Sequence, residues 1–165
     1  MKLLMFLLLL INIPAADLSA YRKLMDQSLE NEDASDRFYA QFKSVKDTGE
    51  PILVGFKAMS EFMLCKHMVN PISQLNHFKK GRRLLESAIK RDKLNPELLF
   101  FRLSTQSNIP SLLNYKMNIR DDKLALIRYL KAQKDDDKIL HSRIKSYLLI
   151  NPNCTAEEKA MIKKL

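Results

Sequence analysis

The sequence predicts an all-α protein: antiparallel helical hairpins, either stacked as a solenoid or closed into a compact bundle. Three observations carry this. Apolar residues recur at three- and four-residue spacing along almost the whole chain, and no segment alternates as a strand would. Only 3 Gly and 6 Pro occur in 165 residues, too little turn chemistry for a many-stranded sandwich or barrel. Hydrophobic residues make up 46%, which argues against disorder. With 2 Cys the chain is not a disulfide-dense scaffold.

Residues 1–16 have the layout of a secretory signal peptide. Lys2 precedes the apolar run Leu3–Ile13, interrupted only by Asn12, and Pro14, Ala15, Ala16 and the charged Asp17 follow. The run is shorter than the roughly 20 apolar residues that span a bilayer. Cleavage is expected near residues 15–20, leaving 17–165 as a single helical domain; an uncleaved anchor or buried N-terminal helix is the alternative. No later run is comparable, so no transmembrane helix is expected after leader removal. The expected location is exported, periplasmic or extracellular. The leader takes away Lys2 and no acid, which leaves a net charge one less than the full chain's +9.

The elements follow in order. Leu18, Tyr21, Leu24, Met25 and Leu29 predict a first helix over about 17–30. Asn31–Ser35 reads as a polar turn, with Asp33 or Ser35 capping a second helix whose apolar face is Phe38, Phe42 and Val45. Gly49 suits a left-handed position at its end. Pro51 opens a third helix carrying Leu53, Phe56, Met59, Phe62, Met63 and Cys65, which stops near Asn70-Pro71. A fourth runs from Ile72 or Ser73 to Lys93 along Leu75, Phe78, Leu85, Ala88 and Ile89. Gly81 inside it costs about 1 kcal/mol relative to Ala, which makes sense where another helix approaches closely. Asn95-Pro96-Glu97 starts a fifth helix, read from Leu98 to Gln106. Residues 111–118 form a short helix or turn. Asp121 or Asp122 starts a sixth helix, the run Asp135–Asp137 a seventh, and Thr155-x-x-Glu158 is a capping box for an eighth.

Gly81, Leu85, Ala88 and Asn95 resemble the second helix and exit of a tetratricopeptide repeat: a small residue, a large apolar one four on, Ala three further, then a turn. The match covers about one repeat. Lys93 stands where Pro is usual, and no second copy follows at a period of about 34 residues. The stretch Arg102-Leu103-Ser104-x-Gln106, with Pro110, Leu113, Tyr115, Asn118-Ile119 and Asp122-Lys123, is similar to small secreted all-helical proteins of bacteria, an uncharacterised group. That resemblance covers most of the chain after the leader. It implies a helical-repeat-like fold and export to the envelope, and it transfers no catalytic residue.

Familiar chemistries are absent from the sequence. The glycines at 49, 55 and 81 are too sparse for a dinucleotide fingerprint or a P-loop. There is no G-x-S-x-G, no C-x-x-C and no H-E-x-x-H. Cys65, His67 and His77 are close in sequence and could supply three zinc ligands, but Cys65 and His67 lie about 200° apart around a helix and should diverge. Glu61 reads as a surface acid beside a core thiol. No enzymatic activity, cofactor or metal is expected. An oxidising compartment permits a Cys65–Cys154 disulfide, with a buried free Cys65 and a helix-start Cys154 as the plainer alternative. Asn153-Cys154-Thr155 is a formal glycosylation sequon, relevant only to a eukaryotic secretory route.

The fourth helix also carries a basic cluster. Lys79, Arg83 and Lys90 share a stripe, Lys80 and Arg91 flank it, and Arg82 belongs to the same cluster. Lys79, Lys80, Arg82, Arg83 and Lys90 are therefore the candidate contacts with an anionic partner, a lipid or glycan surface. A solvated helix face is the alternative. Export makes specific nucleic acid an unexpected partner. The sequence leads to a non-enzymatic exported interaction or scaffold module with an envelope protein as partner; electrostatic binding of anionic lipid or glycan is the rival reading.

Overall fold

The computed structural model describes residues 15–132 and 137–165. Residues 1–14, which hold most of the expected leader, lie outside them, as do Asp135 and Asp136. The described residues form eight α-helices and no strand: α1 (Ala15–Gln27), α2 (Glu32–Phe42), α3 (Pro51–His67), α4 (Pro71–Arg91), α5 (Pro96–Asn108), α6 (Ile119–Lys131), α7 (Lys138–Ile150) and α8 (Ala156–Lys163). A 3-10 turn at Ser111–Leu113 links α5 to α6. None of these helices is long and apolar enough to cross a membrane.

Short polar side chains start most of them. The side-chain Oδ1 atoms of Asn70 and Asn95 each accept two backbone N–H bonds, from Ile72 and Ser73 and from Glu97 and Leu98. Pro51, Pro71 and Pro96 occupy first-turn positions, where their missing N–H costs nothing. Thr155 and Glu158 complete the capping box of α8. Asp137 caps α7 through the Leu140 N–H. Such caps contribute about 1 kcal/mol each.

Two expected starts move. Asn31, rather than Asp33 or Ser35, caps α2 by accepting from the Ala34 N–H at 2.8 Å, and Ser35 is buried within the helix. α6 opens at Ile119, before Asp121, because the Gln106 side chain already accepts the Asn118 N–H. Gly49 does not adopt the left-handed conformation; among the described residues Asn114 alone does, at φ 45°. Gly49 instead sits in a turn where its N–H reaches the Lys46 carbonyl.

Consecutive helices pair as hairpins, α1 with α2, α3 with α4, α5 with α6 and α7 with α8. The first member of each hairpin also meets its counterparts in a closed cycle. Tyr21 of α1 packs edge-on to Phe56 of α3 at 5.6 Å between ring centroids, and Phe56 to Phe101 of α5 at 5.1 Å. Phe100 of α5 meets Tyr147 of α7 at 5.3 Å. Arg143 of α7 returns to Asp26 of α1, with Nη2 and Oδ1 2.8 Å apart.

α3 runs through the middle, buried on every side from Val54 to Met63. Its packing with α4 depends on Gly81. A Cβ there would stand 2.8 Å from the Phe62 ring and 3.0 Å from the Ala58 carbonyl oxygen, so the close approach anticipated at Gly81 is present. One end of the inner cycle is fastened by ions. Arg22 of α1 grips Glu97 at the start of α5 and Asp137 at the start of α7.

Candidate functional site

The other end of the inner cycle is open. The C-terminal halves of α1, α3, α5 and α7 surround a groove of about 1290 Å³, closed along one side by the first turns of α4 and the 3-10 segment. Its floor is apolar: Met59, Phe62 and Met63 of α3, Phe78 of α4 and Phe100 of α5 are buried at it. Methionine is unbranched and polarizable, so this wall can repack around occupants of different shape.

The mouth is apolar too. Leu75, Leu112 and Ile150 line it, the last two 93% and 78% exposed. Ile72 and Val69, 73% and 94% exposed, flank the groove-lining Pro71 in the chain without lining the groove themselves. Large apolar side chains gathered around a concavity mark a contact surface far better than the same residues scattered singly. Leu75, read from sequence as part of the α4 core stripe, lies instead at this mouth.

Four polar side chains of the wall bond within the protein, while the buried Nε of Arg143, also in the wall, has no acceptor among the described residues. Gln74 donates to the Met68 carbonyl, Ser104 to that of Phe101, Asn108 to that of Ser104, and the Cys65 thiol to that of Gln74. The charged residues of the wall are paired: Asp26 with Arg143, and Lys66 with Glu30 and the Leu29 carbonyl. Lys66 and His67 thereby cover carbonyls at the end of α1, His67 Nε2 lying 2.8 Å from the Ser28 oxygen.

The five basic candidates are not equivalent. Lys79 and Lys90 are exposed and, among the described residues, make no ion pair. Arg83 is exposed and touches Asp47 at 3.0 Å. Arg82 lies over the Tyr115 ring, 4.8 Å from its centroid. Lys80 reaches Glu61, its Nζ 2.7 Å from the carboxylate, and that contact leads the causes holding its ammonium above the ordinary lysine range.

Glu61 overturns its sequence reading. It is fully buried in α3 rather than on the surface, because α3 has no solvent face at this level. His77 Nδ1 lies 2.6 Å from its other carboxylate oxygen, so His77 is bound to Glu61 and not gathered with Cys65 and His67. Among the described residues no group of three His, Cys, Asp or Glu side chains could hold a metal ion. Cys65 and Cys154 are both free thiols, and burial pushes both upward from the ordinary thiol range. Neither is an activated nucleophile by environment.

The groove was missed from sequence although its residues were in view. Met59, Phe62 and Met63 read as a core stripe at helical spacing, which is true of their upper faces. The available signal was the coincidence of that methionine-rich stripe with apolar residues outside any predicted helix face, at 69 and 112. No protein-family model, curated protein or solved structure matches this chain.

Proposed function

We propose that the protein is a non-enzymatic, exported binding module of the cell envelope, built from tetratricopeptide-like helical hairpins, that works through the groove at the open end of its inner helices. The observation that carries this reading is the groove itself: a concavity of about 1290 Å³ with an apolar floor and an apolar, exposed mouth. Typical small-molecule pockets hold about 300–1,000 Å³, so this space suits a larger, mainly apolar occupant. Three further features agree with binding rather than catalysis. Gln74, Ser104 and Asn108 of the wall are engaged within the protein, the free thiols are pushed toward their neutral forms, and the buried carboxylate Glu61 is held by His77 and Lys80.

The test is capture in the native host. A photo-crosslinking amino acid at Leu112 or Ile150, in the full-length protein, should trap a recurrent envelope component in fractionated cells. The same probe at Lys163, on α8 and away from the groove, should not. Equal capture from both positions would remove the groove from the reading. Recovery of uncleaved protein in the cytosol alone would remove export.

The rival reading, attachment to anionic lipid or glycan surfaces through the basic face of α4, is favoured by one observation: Lys79, Arg83 and Lys90 are all exposed on one stripe. Reversing these three charges should abolish binding to acidic vesicles or polyanionic glycans.

A further inference from the structure

The groove and the basic stripe share one helix, α4. Residues 72, 79, 83 and 90 fall within about 40° of one another around α4, along about 27 Å of its length. Leu75 lines the groove mouth, and Ile72, one turn before it, is exposed; Lys79, Arg83 and Lys90 continue the line of Ile72 as exposed cations. A single face of α4 thus passes from apolar to positive. That is the pattern of a surface meeting an interface between hydrocarbon and negative charge.

We propose that the groove takes the acyl chain of an anionic amphiphile from an acidic lipid surface, with Ile72 and Leu75 at the point of entry and Lys79, Arg83 and Lys90 against the head groups. This rests on the groove being the working surface, and it names the occupant.

Two observations favour an acyl chain over an extended peptide. An extended peptide backbone needs hydrogen-bond partners along its length, whereas Gln74, Ser104, Asn108 and Cys65 donate within the wall itself, and the Arg143 Nε is, among the described residues, one unpartnered buried donor rather than a row of them. A hydrocarbon chain asks for none. The second is charge. Of the acids near this surface, Asp26 is paired with Arg143, Glu86 is turned to Arg102 and Tyr115, and Asp47 is held by Lys57 and Arg83. Lys79 and Lys90 have no such partner among the described residues, and the chain carries a net +9. The face of α4 that leaves the mouth is therefore positive, with Lys79 about one turn from Leu75, and it favours an anionic head group. A partner helix, whose backbone is already satisfied, would also fit the floor, and the test separates it.

The experiment uses the purified mature chain. It contains no Trp, so the fluorescence of cis-parinarate, an anionic fatty acid, can be followed without tryptophan emission. Saturable binding is expected, with alkylation of Cys65, which lies in the wall, slowed at least tenfold by bound cis-parinarate and alkylation of Cys154 unchanged. Binding to phosphatidylcholine vesicles should rise at least tenfold when phosphatidylglycerol is included. That gain should be lost in Lys79→Glu/Arg83→Glu/Lys90→Glu and in Ile72→Glu/Leu75→Glu. All five positions are exposed, and far-UV circular dichroism checks that each variant is folded. No saturable cis-parinarate binding by folded protein overturns the proposal, as does an unchanged Cys65 alkylation rate. So does vesicle binding indifferent to phosphatidylglycerol or to the variants. Capture at Leu112 of a protein helix in cells, without amphiphile binding, overturns the acyl occupant while leaving the groove as the working surface. Failure of both removes the groove itself.

Discussion

Arg22 and Glu97, 75 residues apart, are joined by two hydrogen bonds of 2.7 Å, with side chains only 3% and 4% exposed. The pair fastens α1 to the start of α5, and Asp137 adds α7 to the same guanidinium. Burial pushes the Glu97 carboxyl upward and the Arg22 bonds oppose it; burial works the same way on Asp137, whose bonds from Arg22 hold it below its ordinary range. Breaking a buried pair leaves an unpartnered charge in an apolar setting, at a cost of about 3–5 kcal/mol. We expect Arg22→Ala and Glu97→Ala each to lose stability on that scale in urea unfolding of the full chain. The double variant Arg22→Met/Glu97→Leu should lose less than either single change. Single losses below about 1 kcal/mol, the range of exposed pairs, would mean that the pair is not desolvated as described.

Gly81→Ala sets two effects against each other. Replacing an interior helical glycine with Ala gains about 1 kcal/mol in helix propensity. The added methyl would meet the Phe62 ring at 2.8 Å and the Ala58 carbonyl at 3.0 Å, and the carbonyl cannot turn aside as a side-chain end can. Overpacking costs about 1–3 kcal/mol, so a net loss of about 1 kcal/mol is expected. Phe62→Leu in the same chain should recover part of it, since it removes one of the two obstacles. A thermal melt of the four proteins decides, and a Gly81→Ala protein more stable than the parent would show that α3 and α4 have room to separate.

These two cases divide what could be read in the sequence from what could not. Helix starts were legible because their causes lie within four residues: Asn95 before Pro96, and Thr155 before Glu158, produce the caps their spacing implies. Gly81 was legible because an interior glycine needs a reason. Arg22 with Glu97 was not, since nothing local relates positions 75 apart. Glu61 failed for a related reason. A carboxylate on a helix is normally exposed, and only the packing of α3 on all sides makes this one buried. The groove failed because core and wall use the same residues: Met59 and Met63 look alike in sequence whichever side they cover.

Acid should reveal Asp47. The hydrogen bond from Lys57 holds its carboxyl below the ordinary carboxylate range, against slight burial and with help from Arg83. A folded-state pKa below the unfolded value of about 3.9 gives stabilisation that is complete above that value and lost as pH falls through the folded one. Asp47 is 42% exposed at the side chain, so solvent screening keeps the effect under about 1 kcal/mol. Asp47→Asn should therefore melt slightly below the parent at pH 6, and the difference should close as the pH approaches 2. A gap that persists at pH 2 would assign the loss to packing at the α2–α3 turn rather than to charge.

Lys79 and Lys80 are neighbours with opposite duties. Lys80 Nζ lies 2.7 Å from the fully buried Glu61, whose other oxygen meets His77, while Lys79 points to solvent. Lys80→Ala leaves a buried carboxylate with one cationic partner fewer; because the lysine head is partly exposed, we expect a loss of about 1 kcal/mol. Lys79→Ala should fall within about 0.5 kcal/mol of the parent. Glu61→Gln should cost about 1–3 kcal/mol, and in that background Lys80→Ala should become nearly neutral, a coupling that a cycle of four melts measures directly. An uncoupled result would return Lys80 to the free cations of the stripe. The coupled result has a consequence for binding experiments. Reversing all five charges at 79, 80, 82, 83 and 90 would place a second acid beside Glu61 and remove Arg82 from the Tyr115 ring, so lost binding could report lost folding. Reversing Lys79, Arg83 and Lys90 alone leaves the Glu61 contacts in place and gives up only the exposed Arg83–Asp47 pair, so a loss of vesicle binding by folded protein there reports the surface.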